Sequence, residues 1–314
     1  MTRNILPAMT TLFVCAALIF SGCDGIDSHS EGSDPEQAGA VVSGSADQTG
    51  SGEGDGYTLV WADYFDSESL DESSWNVEIN SNGGGNNELQ FYAAENVTVA
   101  NGCLVLTAKR EESHNRHFTS GRLNSRGKRV FTHGKIESSI RLPKTANGLW
   151  PAFWLLGNDF NTVGWPRCGE IDILEMGNSA GIKYGTQEKY FNGACHWGFY
   201  KDGAYPNYAK STVNSYSLQD GEFHLFTLVW DGSDIRMYLD LDTHPDAQPY
   251  FTMSISDTSD DWAAGNYFHH DFFIVYDLAV GGNFTGIWDA AGITAVGEDP
   301  VIMYIDYVKV YQKQ

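Results

Sequence analysis

From Tyr57 to its last residue the chain is a succession of short runs of β-branched and aromatic residues, cut by clusters of Gly, Asn and Asp. Alternation over roughly four to eight residues is the mark of a strand, and no long stretch here keeps the 3.6-residue period of a helix. Such runs lie at Thr58–Ala62, Val97–Val99, Leu104–Lys109, Gly134–Leu142, Glu170–Leu174, His224–Trp230, Ile235–Asp240, Phe272–Leu278 and Met303–Tyr311. Between them stand turn formers such as Asn82-Gly83-Gly84-Gly85-Asn86-Asn87, Asn101-Gly102, Asp231-Gly232 and Gly281-Gly282-Asn283. Many short strands can bury their apolar faces only by stacking or closing sheets, so one all-β sandwich or barrel is expected. Two connections, Gly177–Asn192 and Ser254–His269, have the length of loops that usually serve function.

The first 56 residues differ in character. Arg3 and the apolar run Met9–Phe20 read as an export signal, too short to remain as a membrane span. Phe20-Ser21-Gly22-Cys23 resembles a bacterial lipobox, with Phe where Leu is usual, and implies lipidation of Cys23. Ordinary secretion with cleavage nearby is the alternative. Residues 24–56 carry Ser, Gly, Asp, Glu and Ala with almost no large apolar side chain, a composition that cannot offset ordering entropy and suits a tether. The expected organisation is a signal over 1–22, an anchor cysteine and linker over 23–56, and one domain over 57–314. It implies an exported protein, held in the bacterial cell envelope by a lipid or secreted.

Charge narrows the partners. With 41 acidic and 19 basic residues the net charge is -22, a field that repels nucleic acid and sulfated polymers and favours a neutral partner. No membrane contact is expected beyond the anchor, and the chain is expected to be a monomer. Beyond Cys15 and Cys23 the cysteines are Cys103, Cys168 and Cys195, an odd set with no zinc spacing.

The most informative run is Gly169-Glu170-Ile171-Asp172-Ile173-Leu174-Glu175. Alternate residues share a strand face, so Glu170 and Asp172 point one way and Ile171 and Ile173 point into the core. Glu175 has the wrong parity unless a β-bulge around Ile173-Leu174 inserts one residue and returns it to the acidic face. Three neighbouring carboxylates raise one another's pKa, so one is expected to keep a proton near neutral pH. A neutral acid beside an ionised carboxylate is what retaining glycoside hydrolysis uses, with carboxyls roughly 5–5.5 Å apart. Long side chains on a concave sheet are needed to meet that spacing. A solvent-facing acidic edge or a calcium site would fit the same spacing. Trp150 and Trp154 share parity in the apolar run Leu149–Gly157 and would either stack sugar rings or join the core.

Glu-x-Asp-x-x-Glu, preceded by Leu149–Gly157, resembles the bulged-strand class of family 16 glycoside hydrolases, and most of all the laminarinases within it. Val60–Phe65, Asn87–Tyr92, His133–Glu137, His196-Trp197, Phe223-His224, Leu278–Asn283 and Ile305–Val310 match in family order, so the resemblance spans residues 57–314. It implies a β-jelly-roll sandwich of two curved antiparallel sheets with a concave cleft, and endo-acting, retaining cleavage of β-1,3-glucan. Agarose, carrageenan or mixed-linkage glucan would be alternative substrates, and a catalytically silent glucan-binding protein another outcome. By that resemblance Glu170 is the nucleophile, Glu175 the acid/base and Asp172 the carboxylate between them. His196, Trp150, Trp154 and Asn87 would contact sugar. No cofactor is implied for catalysis, but a structural calcium is, held by the Asp306 side chain and backbone oxygens near Tyr64 and Gly102. If His196 faces the cleft, Cys195 faces away while Cys168 shares parity with Glu170, which places these two cysteines poorly for a disulfide. Tyr64 and Phe284 depart from the family pattern, where Glu and Trp are common.

Overall fold

The computed structural model describes residues 56–313; the signal, Cys23 and the linker up to residue 55 lie outside the described residues. Two large antiparallel sheets face one another. The outer sheet runs in the order Phe251–Ser254, Asp234–Leu239, His224–Trp230, Gly134–Arg141, Val301–Lys313, Cys103–Ala108, Val97–Ala100, with Tyr57–Asp63 also on Val301–Lys313. The inner sheet runs Asn207–Val213, Tyr190–His196, Glu170–Met176, Leu149–Gly157, Phe272–Val280, Arg122–Asn124, Asn76–Val77, with Val130–Phe131 on Phe272–Val280. The expected jelly-roll sandwich is what the chain forms.

Alternation explains the layers. In Asp234–Leu239 every second residue is buried, and Ile235, Met237 and Leu239 meet Phe153, Ile171 and Phe191 of the opposite sheet in one core. Phe272–Val280 is buried along its whole length. Each face of that strand is covered: Ile274, Tyr276 and Leu278 enter the main core, while Phe273 and Val275 join a small cluster with Leu156 and Cys168.

The bulge forms where parity requires it. Asp172 pairs with Ala194 and Glu175 with Asn192, so Ile173 and Leu174 together oppose Gly193 alone. Both bulge residues are fully buried. The Tyr250 hydroxyl donates to the Ile173 carbonyl, supplying a partner at the irregularity. Gly193 is required here: a Cβ would come within 2.8 Å of Met237 Sδ and 3.1 Å of the Tyr250 ring.

The long connections are partly ordered. Ser179–Tyr184 is a short helix, and the Tyr190–His196 strand begins before the expected loop ends. Ser254–His269 contributes nothing to the groove described below; its Trp262 packs on Phe199 and accepts the Trp197 N–H at its carbonyl. Cys168 and Cys195 are free thiols in different clusters on the two faces of the inner sheet, as their parity implies.

Candidate active site

The exposed face of the inner sheet floors a groove of about 1180 Å³ lined by Glu170, Asp172 and Glu175, with Trp150, Trp154 and His196 beside them. The bulge thus brings all three carboxylates to one trough. Small neighbours leave them room: Asp172 is flanked across the strands by Ala194, and Glu175 by Ala152.

His196 lies directly across from Glu170. Its Nε2 is 3.4 Å from Asp172 Oδ2 and 3.9 Å from Glu170 Oε1. Trp165, which the strand pattern did not single out, donates its indole N–H to Glu170 Oε2 at 3.1 Å. Glu170 is only 18% exposed at its side chain. Burial first and the Asp172 charge second push its pKa up to about 8, against the pull of His196, the Trp165 N–H and Arg122. Asp172 is raised well above the usual carboxylate range by burial and by Asp277. Glu175 is likewise raised by burial and by the charges of Asp172 and Glu170, opposed by His196 and Trp150.

These environments separate the carboxyls. Glu170 has three groups favouring its anion, His196, Trp165 and Arg122, all of them outside the strand's own acidic row. Glu175 feels two carboxylates, whose charges together with burial favour its protonated form, as a proton-donating acid beside an attacking carboxylate requires.

Trp154 donates to Asp277 Oδ1 at 2.6 Å, and the Arg122 guanidinium lies 5.0 Å above its ring. Trp150 stacks on Phe284 at 4.6 Å and 13°, so the residue departing from the family pattern builds part of the wall. The Trp150 N–H is turned toward Glu175, and neither it nor Asn192 Oδ1, another buried polar atom, closes a hydrogen bond among the described residues. Both line the trough and can exchange hydrogen bonds with a polyhydroxylated ligand. Asn87 is placed differently from expectation: it is exposed, donates to Asn283 Oδ1 at 3.0 Å, and leaves its neighbour Asn86 to line the groove. Its φ of 58° turns the chain there, so side-chain direction cannot be counted along the loop.

Asp306 lies away from the groove, in the outer sheet, where the register of Val301–Lys313 breaks between Ile305 and Tyr307. Burial raises its pKa, the Ser139 hydroxyl reaches it only at 3.5 Å, and Lys309 helps to hold its charge. Tyr64 packs on Tyr307 at 6.3 Å, and Gly102 turns the chain immediately before Cys103, whose thiol feels the Asp306 charge. A partly buried carboxylate with only a long Ser139 contact and Lys309 nearby is an oxygen donor of the kind a hard cation takes.

Comparison with known proteins agrees with this geometry. The family model described as "Beta-glucan synthesis-associated protein SKN1/KRE6/Sbg1" matches residues 42–166. A glucan endo-1,3-beta-glucosidase of Cryptopygus antarcticus is 35% identical, over 73% of this chain and 83% of its own. The clotting factor G alpha subunit of Tachypleus tridentatus is 33% identical over 82% of this chain, which spans only 34% of that longer protein. Among solved structures, a glycoside hydrolase family 16 endo-glucanase from Bacteroides ovatus, also studied with a mixed linkage glucan product, superposes with a TM-score of 0.70. It is 40% identical, with 80% of this chain and all of that one covered. The chain belongs to glycoside hydrolase family 16.

Proposed function

We propose that the chain is a retaining endo-β-1,3-glucanase. The observation that carries this reading is the bulge that delivers Glu170, Asp172 and Glu175 to one face of an open groove. In the first step a Glu170 oxygen bonds to the anomeric carbon as the glycosidic C–O bond breaks, and Glu175 gives its proton to the departing oxygen. In the second, Glu175 takes a proton from water, the water oxygen attacks the same carbon, and the ester to Glu170 breaks. Two inversions leave the β configuration. Asp172 and His196 orient the nucleophile, while Trp150, Trp154 and Phe284 offer flat apolar surfaces to sugar faces.

Laminarin, lichenan, agarose and carrageenan compared for reducing-sugar release test the substrate. The expected order has laminarin first, with β-anomeric oligosaccharides as initial products. Faster cleavage of mixed-linkage glucan would transfer the assignment to that polymer, the second reading, which the 40% identity to the Bacteroides ovatus enzyme favours. Binding without product release would reduce the protein to a glucan-binding module.

Two further parts belong to this reading. Asp306, with carbonyl oxygens near Tyr64 and Gly102, would hold a structural calcium whose chemistry is charge compensation in the outer sheet. Millimolar calcium is expected to raise the melting temperature by a few degrees, and Asp306→Ala to abolish that rise; equal melting with calcium or chelator would dismiss the site. Cys23 would carry the lipid that tethers the monomeric enzyme to the cell envelope.

A further inference from the structure

One wall of the groove beside Glu170 comes from the loop that follows the Tyr190–His196 strand. Backbone pairs tie this loop down: Trp197 N to Pro206 O at 3.1 Å, Lys201 N to Ala204 O at 2.8 Å and Ala204 N to Lys201 O at 3.0 Å. Tyr205 is thereby held with its hydroxyl 3.1 Å from His196 Nδ1. Its ring meets that of Trp165 edge-on at 4.8 Å, and Tyr200 braces it from behind at 5.0 Å. One side chain therefore touches both His196 and Trp165, two of the groups that favour the Glu170 anion.

We propose that Tyr205 is a positioning residue for the nucleophile: its hydroxyl donates to His196 Nδ1 and so keeps an N–H on Nε2, aimed at Asp172 and Glu170. This inference rests on the glycosidase reading above. A neutral imidazole has one N–H, so a donor at Nδ1 leaves that proton on the other nitrogen. Without the hydroxyl, the ring can carry its proton on Nδ1 and turn a lone pair toward two carboxylates. The Glu170 anion would then lose one of its supports. The charged or titratable groups facing His196 are Glu170, Asp172 and Glu175 from the catalytic strand and Tyr205 from the loop, with Tyr200 behind Tyr205; Arg122 also acts on Glu170. Burial and its acidic surroundings push the Tyr205 phenol up to about 12, so it stays a donor across the working range.

Tyr205→Phe keeps the ring against Trp165 and removes only the hydroxyl. The expected result is a fall in kcat of about tenfold with KM nearly unchanged, and an acid limb of the kcat/KM profile displaced to higher pH. Nitrogen NMR of the imidazole should show the Nε2–H tautomer of His196 in the wild type and a mixture in the variant. Tyr205→Leu, which also strips the support of Trp165, should lower kcat further. Wild-type kcat with an unmoved acid limb in Tyr205→Phe, or an unchanged tautomer, would overturn the proposal. A wild-type chain that cleaves no glucan would defeat the glycosidase reading instead, and the NMR tautomer would still decide the role of Tyr205.

Discussion

Glu170→Gln is expected to cut glucan turnover by about a thousandfold or more, because the amide cannot form the ester on which the two-step route depends. The side chain keeps its size and can still accept from Trp165 Nε1, so circular dichroism and the melting profile should report an intact sandwich. Glu175→Gln should produce a loss of similar size on polysaccharide for a different reason: the departing sugar oxygen no longer receives a proton. An aryl glycoside with an acidic phenol leaves without that help, so with such a substrate the first step of Glu175→Gln should recover much of its rate while Glu170→Gln remains inactive. Near-normal hydrolysis of laminarin by either variant would remove the mechanism.

The second large effect is on stability and runs in the opposite direction. Glu170, Asp172, Glu175 and Asp277 all have folded-state pKa values above their ordinary ones, Glu170 at about 8 and Asp277 at about 6. Between the unfolded and folded values the folded chain holds protons that the unfolded chain has released. The stability these groups contribute is therefore complete below about pH 4 and is lost as pH rises through 6 and then 8. Glu170→Gln takes one of these costs away. At neutral pH it should stabilise the chain by on the order of 2–3 kcal/mol, a rise in melting temperature of roughly 5 °C or more, with no gain at pH 4. Melting curves of both proteins from pH 4 to 8 check this, and parallel curves across the range would show that the groove does not strain its own carboxyls. The group predicted to be indispensable for turnover is thus also one that destabilises the fold, as expected where function needs buried charge.

The catalytic strand was legible because its information is local. Strand parity sets Glu170 and Asp172 on one face, and the misplaced Glu175 demands an extra residue; Ile173 and Leu174 facing Gly193 supply it. The same counting separates Cys168 from Cys195 and sets Trp150 and Trp154 together over the groove. Other strands were hidden. Asn207–Val213 is almost wholly exposed at the edge of the inner sheet, so its residues show no apolar alternation to read.

Beyond His196, which the motif resemblance already pointed to, tertiary structure alone decided which groups reach the carboxylates through loops or from remote strands. Trp165 is five residues from Glu170 yet meets it through turns, where parity has no meaning, and Tyr205 acts from a loop beyond His196. Arg122 and Asp277 are distant in sequence but adjacent in the inner sheet, since Arg122 pairs with Asp277 directly. Asn86 rather than Asn87 lines the groove, in a loop where the left-handed φ of Asn87 stops side-chain direction from being counted along the chain. Periodicity along one strand determines which side chains share a face. The identity of the groups gathered over that face depends on strand order and loop closure, and those are settled only when the two sheets pack.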